Sequence, residues 1–464
     1  MEIPFEPYRS RVVERIRMST PEERERHIRE AGYNPFLLRA DQVLIDLVTD
    51  SGVSALSVEQ WAAMHGSDES FSGSRSFFRL QEAARALFGH RHVLVCHQGR
   101  AGEHLIARAV VRSGDVILAN TLFSTTRENL TEAGATCLDL PIPEALDPQS
   151  THPFKGDVDL ARLEAELARA GRERARMAIL TVTENSRGGQ PVSLGNLRDA
   201  SAICRRHGVP LWLDAARFAE NAYLVKLREA GQGQRTPREI AREMFSLVDG
   251  VFMSAKKDAL SNNGGLISCN DEAWFQAIRE RLLVSEGIPT AGGMAGRDLE
   301  CLATGLEEML DEDHLAYRVA TTARLGEQLA AGGVPVVSPF GAHAVYVDGR
   351  ACCPHLPDEQ LPAWSLSVAY YLHAGVRAWE TGNVMHGRLD AETGKWRWPD
   401  LDLMRLAIPR RVYSRAQLDF AAGALVELYA QRHTIRGLRF TYRPSTLPQF
   451  VARFEMVTPT HPPG

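Results

Sequence analysis

The chain lacks several things that would each have fixed its class. No stretch approaches the roughly 18 unbroken apolar residues of a membrane span, so none is expected. The opening segment, MEIPFEPYRSRVVERIRM, has no apolar core of signal-peptide length. Cysteines are sparse, seven in 464 residues, with no CxxC pair at zinc spacing. They read as small core residues in a reducing setting, so a cytoplasmic location is expected. Cys352 and Cys353 are adjacent, and neighbouring cysteines rarely meet disulfide geometry. There is no basic stripe. The net charge is −5 and the charged fraction is 24%, which points to neither a nucleic-acid binder nor a disordered chain. Internal repeats and low-complexity tracts are also missing.

What is present is a large apolar content, 44% of 464 residues, enough for two domains. Residues 1–18 read as an arm with little core of its own. Thr20–Pro21 reads as a helix start, with an N-cap and then proline at the first helical position. A strand-like run follows at Val43–Thr49. From 57 to 311, short apolar runs alternate with helical periods. Examples are His92–Cys96 before Leu105–Val111, Met177–Thr183 before Leu194–Arg206, and the runs Asp115–Ala119, Leu211–Leu213 and Gly250–Met253. Strand–helix alternation with continuously apolar strands predicts an α/β domain with a mostly parallel sheet covered on both faces. The glycine-rich EGIPTAGGMAGRD (286–298) interrupts the pattern, and one long helical segment is expected over about 299–331. Strand runs at Ala344–Val347 and Leu403–Ile408, with helices near 359–373 and 415–431, predict a smaller α+β domain. The expected division is thus an arm (1–18), a large domain (57–311) and a small domain (19–56 with 312–464).

Several segments carry candidate chemistry. In VFMSAKKD (251–258) an apolar strand runs into Ser254, Lys256 and Lys257. Burial opposes a lysine's charge, and a Schiff base removes that charge altogether. The plain alternative is a solvated loop. In LWLDAAR (211–217) Asp214 ends a strand, where ligands bind in open α/β sheets. It suits a protonated pyridinium nitrogen, with Arg217 near a phenolate oxygen, or it caps the next helix. CHQGRAGE (96–103) joins a strand to a helix whose N-terminal N–H groups can hold an anion, helped by Arg100. Phe123, after the next strand, can stack on a flat ring or fill core. Asn185 can hydrogen-bond a ring oxygen or serve as a turn residue. Each signal is modest alone. Their order is the layout of a fold-type-I enzyme of pyridoxal 5′-phosphate (PLP), with a mostly parallel seven-stranded sheet.

The sequence also resembles the β-eliminating lyases, the family of tyrosine phenol-lyase and tryptophanase. The likeness to tyrosine phenol-lyase runs through AGYNPFLL (31–38), DLVTDSG (46–52), HQGRAGE (97–103), NSRGGQPVS (185–193), FAENAY (218–223), MSAKKD (253–258), AGRDLE (295–300), GVRAWE (375–380) and RLAIPRRVY (405–413). The resemblance implies that Lys257 carries PLP and moves the substrate Cα proton. Asp214 then holds the ring nitrogen, Arg217 and Asn185 the ring oxygen, and Phe123 stacks. Gln98, Gly99, Arg100, Ser254 and Lys256 surround the phosphate. Arg405 takes the substrate carboxylate, with Thr49 and Ser51 on the substrate side. Gly52, Glu69 and Asn262 map to ligands of a monovalent cation, usually potassium. A homotetramer with active sites between subunits is implied, with an amino acid as substrate and no nucleic-acid or membrane partner.

Departures from the family fall on the leaving-group side. The family's catalytic tyrosine maps to Phe71, which has no proton to transfer. The phenol-recognising arginine maps to Thr381, and the methionine two residues before it to Trp379. Gln449 stands where the two lyases have phenylalanine or histidine, and Ser124 where tryptophanase has an acid. Expelling phenol or indole through carbon needs a positioned acid, worth about 10²–10⁴-fold. β-Elimination from another side chain is therefore expected, and tyrosine and tryptophan are expected to be poor substrates. β-Replacement, retro-aldol cleavage, a genuine tyrosine phenol-lyase-like activity and a non-catalytic paralogue are the competing readings.

Overall fold

The computed structural model describes residues 5–10, 12–390 and 392–458. They form two compact units. The first holds Asp50–Ala145 and His152–Val319 with residues 5–7 of the expected arm; the second holds Tyr8–Thr49, Leu146–Thr151 and Ala320 onward. These limits differ from the expected 57–311 for physical reasons. Asp50 is tied by a buried ion pair to Arg217, and Arg318 by another to Glu220, so both ends join the first unit. Leu146–Thr151 belongs to the second because Ser338 N–H donates to the Pro148 carbonyl, 2.9 Å. Of the expected arm, residues 1–4 and 11 lie outside the described residues, and the others form neither helix nor strand.

The first unit is a seven-stranded sheet. Its strands in chain order are β1 His92–Cys96, β2 Val116–Ala119, β3 Thr136–Asp139, β4 Ala175–Thr181, β5 Leu211–Asp214, β6 Gly250–Ser254 and β7 Gly265–Cys269. The spatial order is β1-β7-β6-β5-β4-β2-β3. All neighbours are parallel except β7, which runs antiparallel to both β1 and β6. Side chains alternate between two apolar cores. Val93, Val95, Leu211 and Leu213 enter one, and Leu94, Cys96, Trp212 and Phe252 the other. That is why these strands read as continuously apolar: both faces are covered by helices. Asn120, just past β2, locks the carboxyl edge. Its amide nitrogen donates to the Gly156 and Thr181 carbonyls, and its oxygen accepts from Thr181 N–H.

In the second unit, an antiparallel sheet orders Trp379–Thr381 beside Leu403–Ala407 beside Ala344–Asp348. Its register sets Trp379 opposite Arg405 and Thr381 opposite Leu403. The helices Pro362–Ala374 and Arg415–Ala430 contribute to its core. Two expectations are corrected. The Val43–Thr49 run yields only Ile45–Asp46 as strand, paired with Val376–Arg377. The single helix over 299–331 is two, Gly296–Glu308 and Glu312–Ala331. Asp311 makes the break by accepting from His314 N–H at 2.8 Å, a local bond that competes with continuing the first helix. No described helix is long and apolar enough to cross a membrane.

Candidate active site

At the carboxyl edge of the first unit's sheet, β5 ends on Asp214 and β6 on Ser254, with Lys256 and Lys257 in the turn after β6. The helix Gly99–Val110 starts hard against that turn. A Cβ at Gly99 would lie 2.6 Å from the Ser254 Cβ, and one at Gly265 would lie 2.6 Å from the Gln98 carbonyl carbon. Only glycine permits this approach, which brings a helix N-terminus to Ser254 and Lys256. Lys256 is lowered from the ordinary lysine range by burial, and Arg100 adds a like charge.

Burial pushes the Lys257 ammonium down to about 8, and the nearby Arg217 acts in the same direction. Asp50, Asp214 and Glu103 oppose the shift. Asp214 is raised above the carboxylate range by burial, against the attraction of Lys257 and Arg217. Burial likewise raises Glu103 to about 7, and its Oε2 is buried without a partner. The Ser124 hydroxyl is buried without one too. Phe123 is half-buried at the N-cap of the helix Ser124–Glu132, and Asn185 is buried in the loop after β4.

Arg217 is held side-on by Asp50. Its Nε donates to Oδ2 at 3.0 Å and its Nη2 to Oδ1 at 2.7 Å, with both residues buried. Arg318 extends the network, donating from Nε to Glu220 at 3.0 Å and lying 3.9 Å from Asp50. Two guanidinium groups and two carboxylates thus balance in the interior. Burying such charges is tolerable only when they are paired in this way.

The second unit gathers another group of expected residues. Arg405 donates from Nη2 to the Val48 carbonyl at 2.9 Å, and its guanidinium sits 5.3 Å over the Trp379 ring. Phe36 and Phe450 complete an aromatic box, with ring centroids 4.0 and 5.4 Å from that of Trp379 and 5.1 Å from each other. Asn34 ties the box together. Its Oδ1 accepts from Phe36 N–H, and its Nδ2 donates to the Gln449 and Ala452 carbonyls. Gln449 is fully buried, yet both polar atoms of its amide lack a partner, as does the Trp379 indole nitrogen. Thr381 Oγ1 lies 3.5 Å from His386 Nε2.

The residues from 46 to 424 match the β-eliminating lyase family model. Across 453 residues the chain is 49% identical to a tyrosine phenol-lyase of Symbiobacterium thermophilum, covering 98% of this chain and 99% of that one. It is 48% identical over 459 residues to a tryptophanase of Salinibacter ruber, covering 99% and 97%. A serine palmitoyltransferase structure with PLP shares the fold at a TM-score of 0.57 and 15% identity, covering 89% of this chain and 97% of that one.

The chain belongs to the β-eliminating lyases. It is a PLP-dependent lyase of fold type I. The β-eliminating lyase site fits that cofactor. A depressed lysine can meet an aldehyde, a buried acid can meet a pyridinium, and a helix N-terminus with two lysine or arginine charges can meet a phosphate. The sequence expectation omitted Asp50, Glu103, Glu220 and Arg318. Asp50 had a signal, since it lies between Thr49 and Ser51, but its partner is 167 residues away.

Other expected groupings are met less fully. Gly52 and Asn262 are joined, with Asn262 Nδ2 donating to the Gly52 carbonyl at 3.1 Å. Glu69 instead accepts from Gly296 N–H at 3.3 Å and faces Arg297 at 3.7 Å. Among the described residues no group of three or more His, Cys, Asp or Glu side chains is set for a metal ion. Phe71 is 86% exposed in the single chain, although its loop is ordered by Asp68, which accepts from Ser74, Arg75 and Ser76. Ser51 and Thr49 are half-buried.

Proposed function

We propose that this lyase eliminates the β-substituent of an L-amino acid to give pyruvate, ammonia and the freed side chain, and that tyrosine and tryptophan are poor substrates. The observation that carries the second half is the neutral, acid-free character of Phe71, Trp379 and Gln449. Gln449 and Trp379 hold three buried polar atoms without partners, which favours an uncharged side chain that can both donate and accept.

In this reading PLP supplies an electron sink that makes the substrate Cα proton acidic. Lys257, neutral in a fraction of molecules at pH 7 because its pKa is about 8, takes that proton. Asp214 holds the ring nitrogen, a burial that is costly for its charge until a cation meets it. Arg217 and Asn185 face the ring oxygen, and Phe123 covers the ring. Gln98, Gly99, Arg100, Ser254 and Lys256 take the phosphate. Arg405 binds the substrate carboxylate, a bidentate task for which its fork is suited; Thr49, Ser51, Ser124 and Thr381 line the substrate side. Potassium at Gly52, Glu69 and Asn262, a homotetramer and a cytoplasmic setting belong to the same proposal, supported by the family resemblance. The adjacency of Gly52 and Asn262 supports the cation part, which activity with and without potassium tests.

Without a positioned acid, departure through a heteroatom is favoured over departure through an aromatic carbon. The assay is pyruvate release by the holoenzyme from L-tyrosine, L-tryptophan and S-substituted cysteines. Turnover is expected on the sulfur substrates, with phenol and indole release slower by roughly 10²-fold or more. Phe71→Tyr should recover part of the difference. Rapid phenol or indole release by the wild type would defeat the substrate half of the proposal.

A further inference from the structure

Two acids in the second unit, Glu380 and Asp402, have no place in the chemistry above. Both are 1% exposed. They are close neighbours: a Cβ built on Gly382 would lie 2.2 Å from Asp402 Oδ1 and 2.9 Å from Glu380 Oε1. Each also gathers backbone donors. Glu380 accepts from Val384 N–H at 2.8 Å and Met385 N–H at 3.3 Å. Asp402 accepts from Asn383 N–H and Ala363 N–H, both at 2.9 Å. The pair therefore fastens together the strand Trp379–Thr381, the turn from Gly382 to His386 and the start of the helix Pro362–Ala374.

Two ionised carboxylates cannot share such a dry site, since neither is hydrated and their charges repel. Arg350 acts on Asp402 from a distance while bonding to Asp358 Oδ1, Asn383 Oδ1 and the Pro399 and Asp400 carbonyls. Other charged or titratable groups on the elements around the pair are Asp358, which accepts from Asn383, His386, on the turn itself, and Arg405, opposite Trp379 on the neighbouring strand. A proton between the two acids removes the repulsion and adds a hydrogen bond.

We infer that Glu380 and Asp402 share one proton, and that Glu380 is a positioning residue that shapes the Trp379–Thr381 strand through it. The proton resides on Glu380. Burial raises both acids. With Asp402 beside it Glu380 lies well above the carboxylate range, whereas on Asp402 the Asn383 and Ala363 N–H donors and Arg350 oppose the rise. Glu380 Oε1 and Oε2 accept from the turn while its hydroxyl donates to Asp402. At high pH the proton leaves, the acids repel, and the turn that carries His386 loosens. The sign of the stability effect follows. A carboxyl raised in the folded state stabilises fully below its unfolded pKa, and the contribution fades as pH rises toward the folded value.

Glu380→Gln supplies a permanent donor of the same shape, so it is the decisive variant. In the holoenzyme, the unfolding midpoint of the wild type should fall with rising pH more steeply than that of E380Q, by the slope of one proton. The wild type should also show the infrared carbonyl band of a protonated carboxyl at pH 8, lost in E380Q. Parallel pH profiles, or no such band in the wild type, would overturn the shared proton. The link to the strand rests on the proposed substrate side. For an S-substituted cysteine, KM should rise several-fold with pH in the wild type, stay level in E380Q, and be high at every pH in Glu380→Ala, with kcat moving less. A KM in E380Q that tracks the wild type would overturn the positioning role. If no elimination substrate is found, the substrate reading fails while the stability and infrared results still decide the proton.

Discussion

Asp50 shows how much one unassigned side chain sets at the residue scale. Its carboxylate grips Arg217 through Nε and Nη2, which fixes the plane of the guanidinium and leaves Nη1 as the donor not engaged by Asp50. It also offsets the effect of Arg217 on Lys257. Asp50→Asn should therefore act twice. Breaking one side of a buried pair should cost about 3–5 kcal/mol of stability. Removing a negative charge should also lower the Lys257 pKa further below about 8. With Lys257 in its proposed role, the capture of PLP by apoprotein reads this directly, since the amine must be neutral to attack an aldehyde. In the wild type the rate should climb through pH 8; in D50N the midpoint should move to lower pH. Equal midpoints would argue against Asp50 as the charge that holds Lys257 up.

At the scale of elements, the proposed phosphate cradle depends on how closely a helix can approach a strand end. Gly99→Ala places a methyl 2.6 Å from the Ser254 Cβ, so the helix Gly99–Val110 must retreat. Overpacking of this kind costs about 1–3 kcal/mol, and each 1.4 kcal/mol lost in binding is about tenfold in PLP affinity. The same change at Gly423, an exposed helical site whose added Cβ meets nothing within 4 Å, should stabilise by about 0.5–1 kcal/mol. Equilibrium dialysis of PLP and denaturant melts of the two variants give the contrast. These elements were unevenly legible. The five strands expected in the large unit are apolar runs buried on both faces, and sequence shows that plainly. Thr136–Asp139 is an edge strand with an exposed, mixed-polarity surface, so it leaves no such run. The break at Asp311 is one capping bond inside a helical pattern, which periodicity does not register.

For the whole molecule, the exposure of Phe71 is a statement about one chain. A loop pinned by Asp68 and by the Gly73 N–H bond to Thr290 Oγ1 carries an aromatic side chain at 86% exposure. An ordered loop that displays an apolar ring suits burial against another copy. Sedimentation velocity of the holoenzyme at micromolar concentration should give a species of four chains, in which Phe71→Trp fluorescence is shielded from a soluble quencher. A monomer with a fully quenched tryptophan would remove the oligomeric part of the proposal.

The sequence by itself determined the parts whose signal is local. Apolar runs gave the strands, CHQGRAGE marked a helix start able to hold an anion, and the order of Asp214, Arg217 and Ser254–Lys257 pointed to the cofactor. These depend on a residue's own neighbours in the chain, so they survive reading in one dimension. What only the tertiary structure decided are energies that depend on burial. Asp50 is an ordinary acid until Arg217 comes to it, and Gln449 an ordinary amide until its partners are taken away. Glu380 and Asp402 are two of 58 acids in the sequence. Only the fold brings them together out of water, where a carboxylate charge becomes costly enough to hold a proton.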